Sequence, residues 1–346
     1  MMKAAVLFQV RDIRIVDLDI PKISENDVLI KVRAAGICNT DLVRAMKIGA
    51  HKMPIVLGHE ISGEVVEVGD AVTNISTGDR VAVNPLIPCM KCEYCYSGLY
   101  NLCDNYSFLG SRENGGFAEY IRVPATNVIK LENIEYESMA LIEPCVCALH
   151  AIKRGEIGIG STIAIFGVGT IGLFALQWAK YIGSSKVFVI DIYDEKLKIA
   201  EKLGADVCIN ASDVDPVKEI LQLTQKGVDS AIESAGTIET IINCIKVVRK
   251  GGTVSLMGIP YSSSTLLDWK IYDKILRGEL TLKGSWMYDI SPFSNEWKVA
   301  ANAIINSIIK TRPLITHYFK LDLLSEVLNK MFTKQLEPYI KVIIQP

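Results

Sequence analysis

The stretch TIAIFGVGTIGLFALQWAKYI, residues 162–182, changes its hydrophobic pattern halfway along. Thr162 to Phe166 is a short β-branched and apolar run that reads as a buried strand. From Ile171 onward the apolar residues recur at helical spacing. Between the two lies Gly167-Val168-Gly169-Thr170-Ile171-Gly172, a G-x-G-x-x-G. Glycines in this pattern permit a tight turn and close backbone approach to a pyrophosphate, which rests on the helix N-terminus where unpaired N–H groups point at it. The pattern alone is common, but its context is complete. The next strand, KVFVID, ends in Asp191, where a carboxylate accepts hydrogen bonds from an adenosine ribose and repels a 2′-phosphate. NAD is therefore expected rather than NADP.

Downstream the same alternation repeats. VCIN, VDSAIESA, GTVSLMG and LTLKGSW read as further strands, with helices such as DEKLKIAEKLG and TIETIINCIKVVRK between them, the signature of a doubly wound parallel sheet. The chain ends in YIKVII, a strand that needs a partner and is expected to rejoin the first part of the chain. Upstream, DVLIKVRAAG, SGEVVEVG, GDRVAV and FAEYIRVP form a β-rich region punctuated by turns. The expected organisation is a β-rich domain over 1–147 and 288–346, with a dinucleotide-binding domain over 148–287. A chain of 346 residues exceeds the usual size of one hydrophobic core, in keeping with two domains.

Bulk composition narrows the partners. A net charge of −2 offers no basic field for nucleic acid or anionic lipid, so a small molecule is the expected partner. Ile157–Ala179 is uncharged and long enough to span a bilayer, but its five glycines and its change of period argue for strand plus helix. The apolar run before Arg11 is too short for a signal peptide, and a cytoplasmic enzyme is expected.

Four of the nine cysteines fall within residues 89–103, as CMKCEYCYSGLYNLC. Four thiolates at this spacing, Cys89, Cys92, Cys95 and Cys103, close a tetrahedral shell around zinc with no open position, which suits a structural site in a lobe over about 85–110. Iron–sulfur runs use other spacings. Cys145, Cys147, Cys208 and Cys244 lie in apolar runs and read as small core residues. A second group is dispersed: Cys38 in AAGICNTDL, His59 and Glu60 in VLGHEISG, and Glu143 in ALIEPC. Cys, His and carboxylate are the ligand types of a zinc site that keeps a place for water or substrate, although alone the group is weak.

Cys38-x-Thr40-Asp41, Gly58-His59-Glu60, the four-cysteine lobe and the later G-x-G-x-x-G, in that order, resemble the zinc-containing medium-chain alcohol and polyol dehydrogenases over essentially the whole chain. The resemblance implies a GroES-like catalytic domain plus a Rossmann domain, two zinc ions per chain, and NAD-linked oxidation of an alcohol. It implies that Cys38, His59 and Glu60 ligate the catalytic zinc and that Lys196 contacts the adenosine ribose. Glu143 stands where the polyol branch has a glutamate, with Cys145 as a competitor. Thr40 would relay the substrate proton. His51 is either the next proton carrier or a loop histidine without a role. The family's usual glycine after the first ligand is Asn39 in this chain, a residue that tolerates left-handed geometry.

GAHKMPIVLGHE, PLIPCMKCEYC, FLGSRENGGFAEY and LKGSWM resemble the hexitol-phosphate branch, which converts galactitol 1-phosphate to tagatose 6-phosphate. Arg112 is then the candidate for the phosphate, or an ordinary surface arginine. Sorbitol (L-iditol) and threonine dehydrogenases share the metal and cofactor logic, while a zinc-free quinone reductase would lack both cysteine-bearing groups. Outside enzymes, an inactive zinc- and NAD-binding sensor is the alternative. LTLKGSW at a sheet edge suggests a homodimer or homotetramer. Replacing Asp191 by Ser should raise the KM for NAD far more than that for NADP; steady-state kinetics giving equal effects would refute the ribose assignment.

Overall fold

The computed structural model describes residues 1–261, 268–291 and 294–346. Its contacts divide the chain into two units: Met1–Glu143 with Asp289–Asn306 and Ile315–Pro346, and Pro144–Tyr288 with Ser307–Leu314. The second unit thus takes back a short segment, Ser307–Leu314, from a tail expected to belong wholly to the first. The reason is local: Gln177 accepts from the Lys310 N–H at 2.7 Å and donates to its carbonyl at 3.1 Å, satisfying a buried amide on the helix Thr170–Ile182.

The first unit is built on a mixed sheet. Its strands run in the order Val128–Lys130, Arg80–Val83, Glu60–Val68, Asp27–Gly36, Lys341–Gln345 and Ile315–Lys320, and Tyr120–Pro124 also pairs with Asp27–Gly36. The C-terminal strand, read from YIKVII, pairs antiparallel with Asp27–Gly36 and parallel with Ile315–Lys320. Ile30, Ile61, Phe117, Val342 and Ile344 are buried together with Leu328 of the helix Leu324–Phe332. This sheet places the Cys38 end of one strand beside the His59-Glu60 start of the next, because Gly36 pairs with Glu60.

The second unit is a parallel sheet of six strands in the order Val207–Asn210, Lys186–Asp191, Thr162–Phe166, Val228–Glu233, Val248–Leu256 and Thr281–Gly284. The first strand in sequence lies centrally, with its successors wound out to both sides, so the order reverses next to Thr162–Phe166, where such sheets bind ligands. The uncharged stretch from Ile157 resolves into the strand Thr162–Phe166 and the helix Thr170–Ile182, which is buried on all sides from Gly172 to Ala179. Among the described residues no helix is long and apolar enough to cross a membrane. Thr281–Gly284 ends the sheet, and its residues are mostly exposed.

Cys145 and Cys244 are buried as expected of core residues, but Cys147 is half-buried and Cys208 is exposed. Cys208 sits on Val207–Asn210, the opposite edge strand, where alternate side chains lack a covering neighbour.

Candidate metal and dinucleotide sites

Cys38 stands immediately before the short helix Asn39–Val43, in extended geometry. The helix turns Asp41 back so that its carboxylate accepts from the Cys38 N–H at 3.1 Å. The same carboxylate, fully buried, lies 3.2 Å from His59 Nδ1 and accepts from the Gly58 N–H at 3.4 Å. Asp41 thereby fixes the imidazole through one nitrogen and leaves Nε2 free to meet a metal, the usual way a carboxylate orients a ligand histidine. Burial alone would push the His59 pKa down. The attraction of Asp41, and then of Cys38, reverses this and holds it well above the ordinary value. Asn39 opens the helix without left-handed geometry, so the missing family glycine costs nothing at that position.

Glu60 is the second buried carboxylate, 1% exposed. Both its oxygens accept from Lys341 Nζ at 2.6 Å, and that ammonium also donates to the Ile37 carbonyl at 3.0 Å. A Cβ at Gly36 would lie 1.9 Å from Glu60 Oε2, so only glycine leaves room for the carboxylate. One ligand atom each from Cys38, His59 and Glu60 falls within 4.8 Å of the others. Sulfur, imidazole nitrogen and carboxylate oxygen at this spacing fit a zinc ion, and a carboxylate has lone pairs enough to keep Lys341 and still offer one to a metal. Glu143 is buried near the start of the helix Ile142–Arg154 and does not belong to this group. Cys145 is fully buried, its thiol pushed far up by burial, and its carbonyl accepts from Trp178 Nε1 at 3.1 Å; it is outside the group as well.

Cys89, Cys92, Cys95 and Cys103 form the other group, again with ligand atoms within 4.8 Å. Cys92 precedes the helical turn Glu93–Tyr96, and Cys103 follows the turn Tyr100–Leu102. The Cys89 N–H points at Cys103 Sγ (3.2 Å), and the Cys92 and Cys103 sulfurs are 3.8 Å apart. Backbone donation from Cys95 lowers the Cys92 pKa to about 6, whereas burial raises that of Cys95 to about 12. Without a cation the four sulfurs cannot all ionise at this spacing. With a divalent one they can, and none is engaged in a disulfide.

In the second unit the glycine turn combines an open position with a tight one. Gly169 precedes the helix Thr170–Ile182, and a Cβ there would meet nothing within 4 Å, so its bare face is open to a ligand. Gly172 is tight instead: a Cβ would lie 1.9 Å from the Gly167 carbonyl. Asp191 reaches across the turn, accepting from the Val168 N–H at 2.8 Å and from the Ile192 and Tyr193 N–H groups at 2.8 and 3.2 Å. Lys196 is half-buried, its Nζ 4.8 Å from the Tyr193 ring centroid. Burial lowers its pKa, opposed by Asp191. The open glycine face, the helix N-terminus and a fixed carboxylate fit a dinucleotide.

Two supporting residues carry no sequence motif. Lys341 is one. Glu233 is the other: fully buried at the end of Val228–Glu233, it accepts from the Ala235 and Gly236 N–H groups and from the Thr240 hydroxyl, at 3.0, 2.8 and 2.7 Å. Burial raises its pKa against those donors. It ties down a turn whose Ser234 hydroxyl donates to the Gly167 carbonyl at 2.7 Å, so it shapes the glycine turn from behind. A carboxylate ending a strand that reads IESAG was the only available hint. Of the remaining expected residues, Thr40 is half-buried on the Asn39–Val43 helix, His51 is exposed, and Arg112 is half-buried with its guanidinium 4.6 Å from the Tyr106 ring centroid.

Comparison with known proteins agrees with this geometry. Residues 24–133 match the alcohol dehydrogenase GroES-like domain, and residues 170–306 match the zinc-binding dehydrogenase domain. Sorbitol dehydrogenase of Bacillus subtilis is 35% identical, the alignment covering 100% of this chain and 97% of that one. Galactitol 1-phosphate 5-dehydrogenase of Escherichia coli K12 is 38% identical over 88% of this chain and 89% of its own. A zinc-binding dehydrogenase structure from Sinorhizobium meliloti 1021, bound to NADP, superposes with a TM-score of 0.93 at 33% identity, covering 100% and 99% of the two chains.

Substituting Lys341 by Met should leave the Glu60 carboxylate buried without its ammonium and cost about 3–5 kcal/mol in chemical denaturation. A loss below about 1 kcal/mol would show that the pair is not what makes Glu60 tolerable at that depth.

Proposed function

The chain belongs to the zinc-binding alcohol dehydrogenase family, and from that premise we propose that it oxidises a secondary hydroxyl of a sugar alcohol with NAD, its preferred substrate being a hexitol phosphate such as galactitol 1-phosphate, converted to tagatose 6-phosphate. The observation that carries the reading is the grouping of Cys38, His59 and Glu60, with one ligand atom from each within 4.8 Å of the others. These three would hold a catalytic zinc and the four-cysteine group a structural one, while Glu143 lies outside the ligand spacing. When bound, the metal supplies Lewis-acid polarisation of the substrate hydroxyl, and NAD accepts the hydride. Asp41 holds His59 in its ligating tautomer. Thr40, on the same short helix, takes up the hydroxyl proton by relay, and His51 at the exposed rim passes it to solvent. The His51 pKa is lowered first by partial burial and then by Arg112 and Arg44, which keeps the ring neutral and able to accept that proton.

The preference for NAD rests on Asp191, fixed by three backbone N–H groups where a 2′-phosphate would meet its charge. Sorbitol is the second reading, favoured by the similarity to the Bacillus subtilis enzyme along the entire chain. Assembly as a homodimer or homotetramer through Thr281–Gly284 fits the exposure of that edge strand. A panel of polyols, their phosphates and threonine, with formation of reduced nicotinamide followed by absorbance, tests the substrate class directly; turnover of none of the polyols would sink the proposal. Metal analysis separates the two zinc sites. Cys92→Ser should lose one equivalent of zinc together with much stability, whereas Cys38→Ser should abolish activity with the fold retained. Equal stability losses in the two variants would contradict the division into structural and catalytic ions.

A further inference from the structure

The loop that carries Arg112 runs on into a segment seated directly on Val56–Gly58, the residues that lead into His59. The Gly115 N–H donates to the Val56 carbonyl, the Gly116 N–H to that of Gly58 and the Phe117 N–H to that of Leu57, at 2.8, 2.8 and 3.0 Å. A Cβ at Gly115 would lie 2.1 Å from the Gly58 carbonyl, so this approach is backbone on backbone. The Arg112 N–H donates to the Phe108 carbonyl at 2.9 Å, and the Phe108 ring packs 5.6 Å from that of His59. Lys52 reaches Glu113 at 3.6 Å and draws the His51 segment against the same loop.

Charge in this neighbourhood is unbalanced. Of the carboxylates in segments 38–60 and 106–117, Asp41 is engaged by His59, Glu60 by Lys341, and Glu113 by Lys52 and the Ser107 hydroxyl. Arg44 and Arg112 form no ion pair among the described residues. Arg112 Nε is buried without a hydrogen-bond partner, and its guanidinium carbon lies over the Tyr106 ring. Arg44 begins the helical turn Arg44–Ile48, which continues the helix bearing Thr40 and Asp41. The Lys52–Glu113 ion pair holds the His51 segment against the loop bearing Arg112, and the His51 pKa, lowered first by partial burial, is lowered further by both guanidiniums. A guanidinium held against an aromatic ring and lacking an ion pair matches a tetrahedral oxyanion with two hydrogen bonds.

We propose that Arg44 and Arg112 form a subsite for a phosphate monoester, the far end of a phosphorylated polyol whose reacting hydroxyl lies at the Cys38–His59–Glu60 pocket. The inference rests on the polyol dehydrogenase reading and assigns its substrate class. Phosphate and hydroxyl are then read by groups on the same two segments, so the length of the polyol between them becomes part of the recognition.

The test uses the metal-loaded enzyme with NAD and two substrates, a hexitol 1-phosphate and the plain hexitol, for wild type, Arg44→Gln, Arg112→Gln and the double variant. The ratio of kcat/KM for the ester to that for the plain hexitol should fall about 10- to 100-fold in each single variant, the range of one hydrogen bond between charged partners. Turnover of the plain hexitol on the same preparations reports whether the site is folded. Inorganic phosphate should inhibit wild type competitively against the ester, and calorimetric phosphate binding should vanish in the double variant. A ratio unchanged by the substitutions, or phosphate inhibition that is not competitive with the ester, overturns the subsite while leaving polyol oxidation standing. Failure of wild type to oxidise either hexitol overturns the underlying reading, whatever phosphate binding shows.

Discussion

Asp41, His59, Glu60 and Lys341 are four ionisable side chains, none more than 5% exposed, held around the end of one β-sheet. Taking such groups out of water costs several kcal/mol each unless partners replace the lost solvent. The partners are supplied in pairs: Asp41 with His59, Glu60 with Lys341, and backbone N–H or carbonyl groups for what remains. The pairing is still one-sided. With Cys38 as the thiolate that a metal requires and His59 as the neutral imidazole, the set carries two more negative charges than positive ones. A divalent cation would close that difference, so the burial of charge in the first unit and its proposed chemistry share one constraint.

The second unit solves a different problem with fewer charges. Its site is mostly backbone: a glycine left bare at Gly169, a helix N-terminus, and one carboxylate fixed by three N–H groups. Glu233 holds the neighbouring turn from behind, so that Ser234 can close on the Gly167 carbonyl. Rigid donors of this kind are arranged before the ligand arrives, which reduces the ordering cost of binding.

What could be read from the sequence was what is local in it. The six strands of the parallel sheet, the four cysteines and the Gly167 turn are each specified within a few consecutive residues, because periodicity and ligand spacing are short-range signals. Cys38 and His59 were legible only through the order of motifs, and the sheet explains why that order works: Gly36 and Glu60 are paired neighbours. Lys341 could not be found this way. It lies 281 residues from Glu60, and a lysine in YIKVII reads as the solvent-facing member of a strand. Ser307–Leu314 was misplaced for a related reason, since its attachment depends on a single glutamine in a distant helix. Cys208 misled because an apolar neighbourhood in sequence does not distinguish a central strand from an edge.

Buried Asp41 orients His59 so that the pocket can take a metal ion. Metal content and chelator-competition affinity of Asp41→Asn, compared with wild type, test this most directly. The variant should keep the zinc of the four-cysteine group and bind the second about 10- to 100-fold more weakly, as loss of an orienting carboxylate generally does. Two zinc ions per chain held with unchanged affinity in Asp41→Asn would contradict it.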